Sequence, residues 1–247
     1  MKIAFSKPTA GPEEQRLLFD RFREAGYAGL QLKGGQYGSY LDDPEAFRNE
    51  WSRDSACTTG LITGGTLDPD GLARLRSTIE FASAVGSERI VFCHGVPREG
   101  LSDTDIAGFA RVLSEVGREA ADQGIALSLH HHYNQPVMHR RDFDVFFDAA
   151  DHSAVHLTVD TAHLVKSGVT DVAGLVSDFA SVIDNLHLKD FADGEWRLLG
   201  EGVIDLDGLF ATLGSIDYRG WLCVDEETST GLVHAMDVSM EYVRLRI

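Results

Sequence analysis

Eight times along this chain a short run of β-branched and aliphatic residues gives way to a helix-like stretch. That alternation limits the fold more than any other feature. The strand-like runs are Lys2–Ser6, Ala28–Lys33, about Cys57–Thr63, Arg89–His94, Ile125–His132, Val155–Asp160, Val182–Asp190 and Gly220–Glu227. Between them apolar residues recur at three- and four-residue spacing, as on the buried stripe of a helix. Leu17, Leu18, Phe22 and Ala25 follow the first strand, and Ile106, Phe109, Leu113, Val116 and Ala120 follow the fourth. Ser102 stands where a cap would open that longer helix, and Gly124 where it would close. Each crossover helix returns the chain to the same end of the sheet, so the strands are parallel. Eight such units in 247 residues predict one domain spanning 1–247, of class α/β, folded as a single (β/α)8 TIM barrel. A doubly wound open sheet is the alternative topology.

Charge and composition exclude several roles. The chain carries 39 acids against 22 Lys and Arg, a formal charge of −17. Such a field repels phosphate backbones, so no nucleic-acid partner is expected. Cys57, Cys93 and Cys223 are too few and too scattered for a disulfide framework, and a reducing cytoplasmic compartment is expected. The opening MKIAFSKPTAG reads as a first strand, not a signal peptide. No run approaches the ~20 apolar residues that span a bilayer, so no membrane partner is expected. Gly34-Gly35 and Gly64-Gly65 suggest flexible loops after strands two and three, without a phosphate-binding fingerprint.

Barrel chemistry gathers at the C-terminal ends of strands, and here those ends carry imidazoles, carboxylates and lysines. Side chains alternate along a strand, so Ser128, His130 and His132 share a face while His131 points the other way. Asp160 and His187 end the next two strands. A carboxylate oxygen and an imidazole nitrogen side by side suit a divalent cation such as Mn, Co, Zn or Mg. Each also has a plainer use, Asp160 as a helix N-cap and His187 as a hydrogen-bonded core histidine. In the last strand Asp225 and Glu227 share a face and Glu226 points away, unless a bulge shifts the count. Lys189 lies two residues past His187 on the same face. There it can stabilise an enolate oxygen, or act as a base if burial and a metal lower its pKa. His132 and His163 are placed to touch a substrate. Lys33, Gln31 and His94 are expected to line the pocket. Trp51, Trp196 and Arg197 lie in segments that can reach the mouth, with surface packing the expected role. His131, His139, His152 and His234 read as structural or surface residues.

The run HLKDF…LLGEGVIDLDGLFATLGSIDYRGWLCVDEE, from His187 to Glu227, carries a family resemblance. Its HxKD at strand seven, its LGEG and the Gly-Trp opening strand eight resemble the xylose-isomerase-like TIM-barrel superfamily of sugar isomerases and epimerases. That superfamily also takes in inosose dehydratase and endonuclease IV. Weaker agreement, including Asp160-Thr-x-His163 and Ala25-Gly-x-x-Gly29, extends the likeness in outline over the whole chain. The resemblance implies one divalent metal held by residues of strands five to eight, matched here by His130, Asp160, His187 and Asp225, with Glu227 as acid, base or alternative ligand. By their placement Lys189, Glu227, His132 and His163 are the catalytic candidates. His130 stands where epimerases of the family usually offer Glu, which looks more like the inosose dehydratase branch. Gln31 likewise stands where many relatives carry an acid.

The activity so implied is that of a metal-dependent isomerase or epimerase acting on a sugar or keto-sugar through an enolate-type intermediate. An inosose-dehydratase-like lyase acting on a cyclic polyol or keto-sugar is the alternative, and a non-catalytic sugar-binding barrel the next. DNA repair in the manner of endonuclease IV would need a three-metal cluster and a less acidic surface. The expected partners are a small sugar or polyol and a second copy of the chain.

Overall fold

Each of the eight strand-like runs forms a strand, and together they close a cylinder. The computed structural model describes residues 1–51 and 57–247. In chain order the barrel strands are β1 (Lys2–Ser6), β2 (Gly29–Lys33), β3 (Thr58–Gly65), β4 (Arg89–His94), β5 (Ala126–His130), β6 (Val155–Asp160), β7 (Ile183–Leu188) and β10 (Trp221–Asp225). All neighbours pair in parallel, in the order β1-β10-β7-β6-β5-β4-β3-β2, with β2 returning to β1. The helices are α1 (Pro12–Ala25), α2 (Gly34–Tyr37), α3 (Pro44–Trp51), α4 (Pro69–Val85), α5 (Asp103–Ala121), α6 (Arg140–Ala149), α7 (Thr161–Lys166), α8 (Val172–Asp178), α9 (Leu206–Ser215) and α10 (Leu232–Arg244). Among the described residues no helix is long and apolar enough to cross a membrane.

The helices begin and end where their polar residues dictate. Ser102 accepts from the Asp105 N–H while Asp105 returns a bond to the Ser102 N–H, closing a capping box on α5. Asp68, Asp171 and Asp205 cap α4, α8 and α9 through the N–H three residues on. The apolar stripes, Leu18 and Phe22 on α1 and Leu75 and Ile79 on α4 among them, are buried against the outer wall of the strands.

Boundaries differ from the sequence reading where side chains change their partners. β3 runs on through Gly64 and Gly65, which pair with Cys93 and His94 instead of forming a loop. Gly34 and Gly35 open the short helix α2. β5 stops at His130, leaving His131 and His132 beyond its end. β7 stops at Leu188, and the chain folds into a hairpin of β8 (Asp190–Ala192) and β9 (Glu195–Arg197). Its turn is Asp193-Gly194, both with positive φ, as a two-residue hairpin turn requires.

Two register shifts set the site. Between β6 and β7 the pairing passes from Leu157–Ile183 to Thr158–Asn185, leaving Asp184 as the extra residue and bringing Asp160 beside His187. Between β2 and β3 it passes from Leu30–Thr58 to Gln31–Gly60. A Cβ on Gly60 would lie 3.2 Å from the Gln31 Cγ and 3.0 Å from the Arg89 Cγ, so glycine there makes room for Gln31 inside the barrel.

Asp190 explains the spacing of the HLKD and LGEG motifs. Its buried carboxylate accepts from the backbone N–H groups of Phe191, Gly200, Gly202 and Ile204, tying the hairpin and the following loop to the tip of β7. An Asn in its place has only one acceptor oxygen. Asp190→Asn should cost about 2–4 kcal/mol in urea unfolding, because two buried donors lose their partner.

His94 ends β4 on the outer wall, its ring 4.3 Å from that of Phe109 on α5, and does not line the pocket as the sequence suggests. Burial pulls its pKa down to about 4. The unfolded chain therefore takes up a proton below about pH 6.5 that the folded chain refuses, so this contribution is complete above that pH and fades toward pH 4. His94→Phe should lose less stability than the parent between pH 7 and pH 5. The difference, up to about 2 kcal/mol, is measurable by calorimetry at the two pH values.

Candidate metal centre

Three buried side chains at neighbouring strand tips, His130, Asp160 and His187, each offer one ligand atom, and those atoms lie within 4.8 Å of one another. The atoms His130 Nε2, Asp160 Oδ2 and His187 Nδ1 have no hydrogen-bond partner among the described residues. Buried polar atoms are normally satisfied, and three such donor atoms this close together could hold a cation.

The remaining polar atoms of the trio explain why these three are bare. Asp160 caps α7, its Oδ1 accepting from the N–H groups of Ala162 at 3.0 Å and His163 at 2.8 Å, while its Oδ2 faces the lumen with His130 Nε2 at 3.5 Å and Lys189 Nζ at 3.6 Å. It serves as N-cap and as lumen acceptor at once. Its own N–H donates to His131 Nε2 at 2.9 Å, giving that outward-facing histidine the structural role the sequence suggests. Burial holds His131 neutral, with its pKa lowered to about 3. His187 Nε2 lies 2.9 Å from Gln31 Oε1. An amide oxygen can only accept, so Nε2 carries the proton and Nδ1 is bare. Asn185 fixes that amide: it accepts from Gln31 Nε2 at 2.8 Å and donates to Gln31 Oε1 at 3.2 Å.

Charge surrounds the trio on one side. Asp225 meets Lys33 Nζ at 2.6 Å and Lys189 Nζ at 2.8 Å, and its Oδ2 lies 3.6 Å from His187 Nδ1. Glu227 meets the same two ammoniums at 2.8 and 3.0 Å and is the more exposed acid, at 29% against 1% for Asp225. Glu226 turns the other way, into a buried pair with Lys7 at 3.4 Å. Burial opposes ionisation of Asp160 and Asp225, yet Lys189 holds both well below the ordinary carboxylate range, helped at Asp225 by Lys33. Burial likewise opposes the charge on Lys189, but Asp225, Asp160 and Glu227 outweigh it and push its pKa up. The sequence reading allowed Lys189 a lowered pKa and the role of a base. Three carboxylates around one ammonium give the opposite shift.

His132 and His163 stack with ring centroids 3.6 Å apart, beside His130. Burial lowers the pKa of each and keeps both imidazoles neutral. Trp196, left to surface packing by the sequence reading, comes to the mouth on β9, 5.0 Å from the His163 ring and 5.0 Å from Lys189 Nζ. Trp51 does not reach it, packing on Phe19 and Arg16 instead. A cleft of about 280 Å³ lined by Trp196, Arg197, Glu201, Glu227 and Thr228 leads from solvent to this side of the site. One residue the sequence reading passed over is Cys93, whose Sγ lies 2.8 Å from His130 Nδ1. Its only signal was parity, two residues on from Val91 and four from Arg89 along β4.

A family model described as a xylose isomerase-like TIM barrel matches residues 19–244. An inosose dehydratase of Clostridium beijerinckii is 28% identical over 148 residues, covering 52% of this chain and 49% of the relative. The chain spans about half to two thirds of the length of the curated relatives it matches. Among solved structures, the 3-keto-D-glucoside 4-epimerase YcjR of E. coli superposes with a TM-score of 0.78 at 19% identity, over 99% of both chains. The IOLI protein with a bound zinc atom superposes with a TM-score of 0.74 at 17% identity, over 100% of this chain and 96% of the other. At such identities these two structures speak for the fold.

Proposed function

The chain belongs to the xylose isomerase-like TIM-barrel family, and from that premise we propose a divalent-metal-dependent enzyme that takes a proton from carbon beside a carbonyl in a small keto-polyol. The net reaction we favour is dehydration of a cyclic keto-polyol such as an inosose. The observation that carries the reading is the convergence of His130 Nε2, Asp160 Oδ2 and His187 Nδ1, all buried and without partners among the described residues. Two imidazole nitrogens and one carboxylate oxygen suit Zn²⁺, Co²⁺ or Mn²⁺, and Asp225 borders the same space. The zinc atom in the IOLI structure is in keeping with this donor set. When bound, the cation polarises the substrate's carbonyl and neighbouring hydroxyl oxygens and lowers the cost of enolate charge.

The chain's own residues supply the proton transfers. Glu227, paired with Lys33 and Lys189 and open to the cleft, accepts the proton from the α-carbon. The C–H electrons form the carbon–carbon double bond as the β-carbon–oxygen bond breaks, and the hydroxyl leaves as water with the Lys189 proton. Glu227 then returns its proton to Lys189 across 3.0 Å. Acid and base on one side suit removal of proton and hydroxyl from the same face of the ring. His132 and His163, neutral and beside His130, can hydrogen-bond further hydroxyls, and Trp196 shields this side from water.

Dehydration is placed ahead of epimerisation because strand five ends in His130, so the site has no carboxylate there to serve as a second acid or base. Curated relatives named inosose dehydratase support the same order. Epimerisation is the second reading, favoured by the stacked His132–His163 pair, which lies toward β5 and β6 while Glu227 lies at β10.

Metal binding is tested with the purified protein. Millimolar Mn²⁺ or Co²⁺ should raise the melting temperature by several degrees, and His187→Ala should lose most of that shift and weaken Co²⁺ binding by roughly 100-fold. A parent protein that holds no metal and gains no stability would end the metal reading. Turnover of an inosose in D₂O, followed by mass spectrometry, separates the two reactions. Loss of one water with new ultraviolet absorbance means dehydration, and unchanged composition with one deuterium gained at carbon means epimerisation. Glu227→Gln should reduce either rate by about 100-fold or more.

A further inference from the structure

We infer that Cys93 is a positioning residue, its sulfur accepting a hydrogen bond from His130 Nδ1–H and so keeping the lone pair of His130 Nε2 turned into the cluster. The inference rests on the cation site proposed above. Cys93 and His130 stand side by side because Phe92 on β4 pairs with Leu129 on β5, and each chain then advances one residue. The Sγ–Nδ1 separation is 2.8 Å, and both groups sit on the lumen side. On the other flank Cys93 pairs with Gly64, which has no side chain to compete for the thiol.

The direction of the bond follows from where a proton can be satisfied. Burial opposes a charge on His130, but Cys93 and Asp160 outweigh it and push its pKa up to about 10; in the neutral form that can bind a cation, the imidazole carries one proton, on Nδ1 or on Nε2. On Nε2 it would face Asp160 Oδ2 at 3.5 Å, at the outer limit of a hydrogen bond and longer than the contact on the other side of the ring. On Nδ1 it finds sulfur at 2.8 Å. A buried unsatisfied N–H costs more than a weak N–H···S bond fails to provide, so the proton belongs on Nδ1. A histidine bound to metal usually donates its other N–H to a carboxylate or a backbone carbonyl, which fixes ring and tautomer. Here a thiol does so for His130, while the Gln31 amide does so for His187. Without the sulfur the nearest acceptor is Asp160 Oδ2, and a proton drawn to Nε2 would stand between the two donors.

The test compares the parent protein with Cys93→Ala, Cys93→Val and Cys93→Ser. Long-range ¹H–¹⁵N correlation spectra of histidine-labelled protein without added metal, recorded as the pH is raised until the His130 ring is neutral, report which ring nitrogen keeps its proton. Cobalt titration, followed by calorimetry and by the visible d–d bands, reports affinity and geometry. We expect Nδ1–H in the parent and in Cys93→Ser, and loss of that pattern in both apolar variants. Cobalt affinity should fall about 10- to 100-fold in the apolar variants and change by less than about 3-fold in Cys93→Ser. Melting temperatures show that the variants fold, and the two apolar replacements guard against failure of one. An Nε2–H tautomer in the parent, or apolar variants that keep both tautomer and affinity, would overturn the assignment. If the parent shows Nδ1–H, the apolar variants lose it, and no form takes up cobalt, the hold of Cys93 on the ring stands and the cation reading falls.

Discussion

Two imidazoles and one carboxylate face each other inside a closed barrel because each has its outer atom tied down. Gln31 holds His187, the N–H groups of α7 hold Asp160, and Cys93 lies against His130. The inner atoms are thereby fixed in place and left without partners among the described residues. A buried polar atom in that condition destabilises the fold, so the barrel wall carries a local cost at the point where its chemistry would occur. The second layer of contacts, Asn185 to Gln31 and Thr158 to Asn185, fills the lumen below and keeps the first from relaxing.

The charged half of the site follows a different logic. Asp225 and Glu227 share two lysines, and Lys189 touches both acids and comes within 3.6 Å of Asp160. Taking so many charges out of water is unfavourable unless each is paired at close range. The separations here meet that condition, which is why Asp225 remains ionised and Lys33 and Lys189 protonated despite burial. The same pairing gives the proposed mechanism an acid and a base in direct contact.

Much of this was legible in the sequence, and the parts that were not share a cause. Eight strands, their parallel order and the lumen position of His130, Asp160, His187 and Asp225 follow from alternation and from residue types at strand tips. Period-two counting also separates Asp225 and Glu227 from Glu226, because β10 has no bulge before its end. It fails at β7, where the chain leaves the barrel at Leu188. The Asp193-Gly194 pair was a hairpin signal in plain view, overlooked because the run from Val182 to Asp190 reads as one strand. Cys93, Gln31 and Trp196 were undervalued for another reason. What each does depends on its neighbour across the barrel or on the next strand, and a single chain read in order does not display that neighbour.

The tetrapeptide from His187 to Asp190 sends its four side chains to four destinations. His187 goes to the lumen, Leu188 to the hydrophobic wall, Lys189 to the charged rim, and Asp190 to the loop it anchors. Because the destinations are set by parity along the backbone, spacing here is harder to alter than chemical type. Inserting or deleting one residue would rotate a leucine into the ion cluster and strand an ammonium in oil, so a change of length here disturbs all four side chains at once where a substitution disturbs one.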